Sequence, residues 1–283
     1  MRLSCRAMDL LVSTDWLAQY LGEPDLVPVD CTWFMPSFGR DARAEYLQAH
    51  IPGGRFLDID EVADRANGAP HMLPCARQFG EAMEKLGIGR DDRIVVYDNS
   101  PHRTAARGWF TFRHFGAEKV AMLDGGFGKW VAEGRPTASG EAEPRSVRFE
   151  ASENPNVVAK EQLLAGIDLP LLDARGRARF EGTEGDPRSG VAPGHIPGSR
   201  NLPSAELYNA DGTLKSGDEL RRLFVSAGID PAHPFVATCG SGVTASSLIF
   251  AAHLLGNDAN RLYDGSWSEW GADPATPKAL GPA

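Results

Sequence analysis

Of the four cysteines, at positions 5, 31, 75 and 239, one sits where a thiol could do chemistry. In FVATCGSGVTASSLIFAAHLL, Phe235 to Leu255, an apolar run leads into Cys239, and Gly240, Ser241, Gly242, Val243 and Thr244 follow. The run reads as a strand and the Ala/Leu-rich stretch from about Thr244 as a helix. A cysteine at a strand end, before a glycine-bearing loop that opens a helix, is placed to be a thiolate. Loop N–H groups can converge on an anion there, and the helix N-terminus adds partial positive charge. The glycines permit unusual backbone angles and close approach to the sulfur. A free thiol of pKa near 8.5 is only about 3% ionised at pH 7; a microenvironment that lowers it to about 6.5 raises that to roughly 75%. The same cradle would hold a persulfide anion. The competing reading is a buried structural cysteine at a strand end, against which the loop context argues.

The other cysteines lack such a loop and read as non-catalytic, although any exposed one could oxidise. There is no CxxC and no His–Cys cluster, hence no zinc spacing and no evident disulfide framework. A reducing, cytoplasmic setting is expected. The chain has 283 residues, 42% hydrophobic and 24% charged, the balance of a globular protein with room for two domains. A net charge of -9 argues against nucleic acid or an anionic membrane as the main partner, while a local basic cluster could still hold an anionic substrate. No run approaches the roughly 20 apolar residues of a membrane span. The opening MRLSCRAMDLLVSTDWL is broken by Arg6 and Asp9, so no signal peptide is expected, and Met8 is an alternative start.

The elements that must position Cys239 come in duplicate. HIPGGRFL at His50 recurs as HIPGSRNL at His195, an offset of 195 − 50 = 145. LVPVDCTWF around Asp30 is echoed by LPLLDARGRARF around Asp173, and MLDGGFGKW with Asp124 by LYDGSWSEW with Asp264. The offsets, 143 and 140, drift by only five residues, and 140 also relates Trp130 to Trp270. Two copies of one fold are expected: residues 1–135 and 157–283, joined by a Pro/Ser/Glu/Ala-rich linker at 136–156. A dry interface between the halves is anticipated.

Within each copy, short apolar runs (Leu26 to Val29, Ile94 to Tyr97, Leu169 to Leu172, Phe235 to Ala237) read as buried parallel strands. Amphipathic stretches such as Phe79 to Leu86 and Glu219 to Ala227, each followed by glycine, read as helices with a C-cap. The alternation predicts an α/β fold, a parallel sheet with helices on both faces. In such sheets ligands bind beyond the carboxyl ends of the strands.

CGSGVTA resembles the active-site loop of the rhodanese-like sulfurtransferases, in particular their 3-mercaptopyruvate branch. HIPG, the DG(G/S)xxxW segments and the tandem duplication are also similar to that family, so the likeness spans nearly the whole chain. It implies two tandem rhodanese-like domains, with the reactive cysteine only in the second. The first copy offers Asp98, in VVYDNSPHRTAAR, where the second offers Cys239. The loop after Cys239 carries no charge, whereas the thiosulfate-using relatives place basic residues there. A neutral loop with a serine suits a carbonyl thiol, with Ser241 bonding the sulfur or the developing enolate.

The resemblance extends to other residues. Mercaptopyruvate requires a cationic fork for its carboxylate and ketone. ARGRARFEGTEGDPRSG supplies Arg175, Arg177, Arg179 and Arg188, and the family pattern picks out Arg179 and Arg188 as the substrate-binding pair, the alternative being solvated surface arginines. Gly240, Gly242, Val243 and Thr244 join them as the loop's substrate-binding residues. In LDIDEVADRANGAPHMLP the family places an acid and a histidine, Asp60 and His71, acting with Ser241 on proton movement. Asp60 could instead cap a helix starting near Glu61, and His71 could be an ordinary loop residue. His50 and His195 occur in both copies and read as structural, as do Asp30, Asp173, Asp124 and Asp264, while Trp267 and Trp270 read as filling core or interdomain space.

The chemistry implied is ping-pong: Cys239 takes sulfur from 3-mercaptopyruvate and passes it to cyanide, a small thiol or thioredoxin. Neither a metal nor an organic cofactor is called for. Thiosulfate is the alternative donor. A cysteine phosphatase would need a loop arginine to clamp phosphate, and none follows Cys239. A non-catalytic sulfur-binding module is the remaining rival.

Overall fold

The computed structural model describes residues 8–283, so Cys5 and Arg6 lie outside the described residues. Ten strands form two sheets: β1 (Leu11–Val12), β2 (Leu26–Asp30), β3 (Arg55–Phe56), β4 (Arg93–Tyr97) and β5 (Val120–Leu123), then β6 (Val157–Val158), β7 (Leu171–Asp173), β8 (Arg200–Asn201), β9 (Val236–Thr238) and β10 (Arg261–Tyr263). The strand orders, β1-β5-β4-β2-β3 and β6-β10-β9-β7-β8, are the same order twice, and every pairing is parallel. The duplication legible in the chain is a duplication of fold.

Both faces of each sheet are covered, and the strand residues alternate between them. In β4, Ile94 and Val96 enter one core with Phe79, Trp109 and Phe112, while Val95 and Tyr97 enter another with Leu17 and Trp130. In β9, Ala237 faces the first core and Val236 packs with Trp267 and Trp270. The helix Ala76–Leu86 ends at Gly87, whose φ of 71° provides the left-handed cap.

The first of these cores runs without a break through both copies. Helices Ala105–His114 and Ala245–Leu254 meet there, with Trp109 edge-on to Phe250 at 4.9 Å between ring centroids. The second helix is buried over Ala245 to Ala252, as expected of a helix apolar on all sides. The contact between the halves is centred on this apolar helix pair.

Segment 136–156 contains no helix or strand, yet it is strapped to the first copy. Phe149 packs edge-on against Phe79 at 5.3 Å, and Arg145 reaches Asp92. Ala138 pairs with His50 as Ala279 pairs with His195, and the Trp130 and Trp270 indoles bond the carbonyls of Pro136 and Pro277. The repeating unit therefore extends to Ala138. His50 and His195 each engage a carbonyl through Nδ1 at 2.8 Å, that of Tyr46 and of Phe180, and stack on the same ring. Their role is structural.

Candidate active site

Strand β9 ends at Thr238, and Cys239 follows it, only 1% exposed. The loop from Gly240 to Thr244 turns directly into helix Ala245–Leu254. Among the described residues the amides of Gly240, Ser241, Val243, Thr244 and Ala245 donate to no protein acceptor, so they form a row of free donors around the loop. The amides of Cys239 and Gly242 are different: both donate to Ser266 Oγ, at 3.1 and 3.0 Å, and that hydroxyl donates to the Tyr263 carbonyl at 2.8 Å.

The first copy shows what such a loop holds. The Asp98 carboxylate accepts the amides of Ser100 at 2.8 Å and Ala105 at 2.7 Å. Asp98, Ser100 and Ala105 correspond to Cys239, Ser241 and Ala245, the first loop being one residue longer between the last two positions. The equivalent amides of the second copy are those left free beside Cys239.

Two arginines cover the loop. Arg188 donates from Nη1 to the Gly240 carbonyl at 3.1 Å. A β-carbon on Gly240 would stand 2.9 Å from Arg188 Nη2 and 3.6 Å from Arg179 Nη2, so the absence of a side chain here lets the Arg188 guanidinium close onto the loop without shifting. Burial pulls the Arg188 guanidinium below its ordinary value, partly offset by neighbouring Asp186. Arg179 Nε and His102 Nε2 are buried without a partner among the described residues, and burial together with the charge of Arg179 holds the His102 imidazole below its ordinary value. The other two candidate arginines point elsewhere: Arg175 pairs with Asp173 at 2.7 Å and Arg177 with Glu206 at 2.7 Å.

From the first copy comes a hydrogen-bonded chain. His71 Nδ1 lies 2.8 Å from Ser241 Oγ, and Nε2 lies 3.0 Å from Asp60 Oδ1. The Trp33 indole donates to Asp60 Oδ2 at 2.8 Å and its ring meets the imidazole edge-on. Partial burial raises the Asp60 carboxyl, but the hydrogen bond and charge of His71, with the Trp33 bond, hold it below the ordinary carboxylate range. The anticipated helix does begin beside Asp60, but Asp58 caps it, leaving Asp60 free to hold His71. An acid, an imidazole and a hydroxyl in line can orient a proton donor at the loop.

His71 adopts a φ of 61°, a left-handed backbone unusual for a non-glycine residue. Arg107, from the interface helix, holds it: Nη2 donates to the His71 carbonyl at 2.6 Å and Nη1 to Asp264 Oδ1 at 2.7 Å. Asp264 Oδ2 then accepts the Leu73 amide at 2.7 Å. This ion pair crosses between the copies with both side chains under 5% exposed. A weaker mirror of the contact exists, in which Asp124 accepts the Leu214 amide at 2.8 Å.

The site residues anticipated from sequence thus divide. Cys239, Ser241, His71, Asp60, Arg179, Arg188 and Gly240 converge. Gly242 does not offer its amide to a ligand, because Ser266 takes it; with φ 76° and Asp264 and Arg107 within 3.0 Å of any added β-carbon, it makes room for the ion pair instead. Val243 is buried beside the loop, and Thr244 serves as the helix N-cap position without a side-chain bond. Arg107, Asp186, Trp33, His102 and Ser266 were not singled out by sequence. Ser266 had a signal: it stands where the first copy has Gly126, and it keeps a glycine-like φ of 50°.

A duplicated parallel-sheet domain with a cysteine loop of this shape defines a class, and the chain belongs to the rhodanese-like domain family, whose model matches residues 13–133 and 158–273. The chain is 41% identical to human 3-mercaptopyruvate sulfurtransferase over 276 residues, covering 94% of this chain and 92% of the human protein. It is 39% identical to bovine thiosulfate sulfurtransferase over 271 residues, covering 92% and 91%. Among solved structures it resembles SseA from Escherichia coli, a 3-mercaptopyruvate sulfotransferase, with a TM-score of 0.84 and 36% identity over 93% of this chain and 100% of that one. Tum1 from Saccharomyces cerevisiae superposes with a TM-score of 0.88 at 30% identity, over 97% and 99%. Among the described residues no helix is long and apolar enough to cross a membrane.

Proposed function

We propose that the chain is a sulfurtransferase that moves sulfur from 3-mercaptopyruvate to an acceptor through a persulfide on Cys239. One observation carries this reading: Asp60 and His71 of one copy meet Ser241 in the Cys239 loop of the other, under two arginines. Arg179 and Arg188 take the donor's carboxylate and ketone. The Cys239 thiolate attacks the donor sulfur, and the carbon–sulfur bond breaks with its electron pair passing into the ketone as an enolate. The proton of the donor thiol balances the one the enolate carbon gains, and Ser241, held by His71, lies in position to relay it. Pyruvate leaves, and the free loop amides hold the persulfide anion. A nucleophile such as cyanide, a small thiol or reduced thioredoxin then attacks the outer sulfur and restores the thiolate. The reading assigns the enzyme to the cytoplasm, whose reducing poise keeps an exposed thiol such as Cys75 reduced.

The similarity to bovine thiosulfate sulfurtransferase favours thiosulfate as a second donor. It is not the main one, because the loop after Cys239 is uncharged and a relay that supplies a proton has no task when sulfite is the leaving group. Single-turnover pyruvate release without acceptor, in the wild type and Cys239→Ser, tests the proposal. A stoichiometric burst with a mass gain of one sulfur, lost in the variant, is expected. Persulfide from thiosulfate alone would overturn the donor, and no sulfur uptake from either would overturn the enzyme.

A further inference from the structure

Between the two arginines lies an acid that the transfer chemistry above does not use. The Asp186 side chain is 1% exposed and accepts from Arg179 Nη2 at 2.5 Å. Its other oxygen accepts the Arg188 amide at 3.0 Å and stands 3.4 Å from Arg188 Nη1. Both guanidinium groups therefore share one carboxylate, through the same Arg188 Nη1 and Arg179 Nη2 atoms that lie against Gly240. The other two cations of the segment are matched elsewhere, Arg177 by Glu206 and Arg175 by Asp173. The fork over the loop thus carries two positive charges and one negative charge.

We propose that Asp186 is a specificity-determining residue, which sets the donor fork to a single net positive charge and so favours monoanionic over dianionic sulfur donors. The inference rests on the proposed transfer from 3-mercaptopyruvate, a monocarboxylate, and adds what discriminates it from thiosulfate. Neutralising Asp186 raises the potential at the donor, and a dianion gains twice what a monoanion gains. One unit charge about 6 Å away, through a partly wet cleft of effective dielectric roughly 40, changes the ratio about tenfold. The carboxylate also explains how two arginines can be half-buried side by side: it screens their mutual repulsion.

The test compares Asp186→Asn, which removes the charge and keeps the shape, with Asp186→Glu, which keeps the charge. Two ratios are read on the full chain: kcat/KM for thiosulfate over 3-mercaptopyruvate, and the affinity for sulfate over pyruvate by calorimetry. Asp186→Asn should move both about tenfold toward the dianion, and Asp186→Glu should leave both within about threefold. Equal losses for both donors with an unchanged sulfate-to-pyruvate ratio would reduce Asp186 to a structural brace and overturn the proposal. The binding ratio judges Asp186 even if the wild type releases no pyruvate, a result that would count against the donor assignment alone.

Discussion

Replacing Arg107 by methionine should separate the fold's electrostatics from its chemistry. The guanidinium and the Asp264 carboxylate are 3% and 4% exposed, so neither can turn to water. Arg107→Met leaves Asp264 with the Leu73 amide as its remaining hydrogen-bond donor and strips the donor from the His71 carbonyl. Breaking a buried pair by removing one partner costs about 3–5 kcal/mol, and the lost carbonyl bond adds about 1. Urea unfolding should therefore register a loss of about 4–6 kcal/mol. Adding Asp264→Asn removes the stranded charge and should recover about 2 kcal/mol or more. Pyruvate release should stay slow in the double variant, because the guanidinium that bonds the His71 carbonyl, and so supports the left-handed backbone aiming His71 at Ser241, is still missing. A cost below about 1 kcal/mol for Arg107→Met, or a double variant less stable than the single one, would refute the account.

Two further outcomes follow from the geometry. His71→Gln should slow pyruvate release about 100-fold, the lower end of the usual general acid–base contribution, while persulfide formation from thiosulfate, which protonates no carbon, should change less than tenfold in stopped-flow traces. Burial pushes the Asp30 carboxyl up to about 7 despite its bonds from Thr32. An acid whose folded value is raised is disfavoured when ionised, so its contribution lowers stability as pH climbs from about 4 to about 7, by up to roughly 1.4 kcal/mol per pH unit. Asp30→Asn should flatten that slope in denaturant titrations across the window.

The architecture was legible because the chain states it twice. Landmarks repeated at offsets of 140 to 145 residues announced two copies, and short continuous apolar runs announced strands buried on both faces, as β4 shows by dividing Ile94 and Val96 from Val95 and Tyr97. The cysteine loop and the arginine pair were readable because each is a compact local pattern. What escaped was nonlocal or asymmetric. Arg107 and Asp264 are 157 residues apart, and Asp264 looked purely structural because Asp124 repeats it. The departures between copies held the information: Arg107 stands where the second copy has Ser247, and Ser266 where the first has Gly126. Composition marked 136–156 as a polar, proline-rich connection without helix or strand, but not the contacts that tie it to the first copy, such as Phe149 on Phe79 and Arg145 on Asp92. Asp186 was overlooked in a segment read for its cations.

The carboxylate of Asp98, seated in the first copy's loop, has a consequence for anyone remodelling the protein. That loop is permanently self-ligated: it carries its own anion as a fixed part of the chain and has no vacancy to fill. Exchanging Asp98 for cysteine would install a thiol, yet the partner position matching His71 is Gly212, which brings no imidazole. Reviving a second centre would take both halves at once, a nucleophile in one copy and a relay in the other. The tandem arrangement is thus an asymmetric one, with the Cys239 loop in one copy and the Asp60–His71 pair in the other, and under the proposed mechanism neither would act if cut from its neighbour.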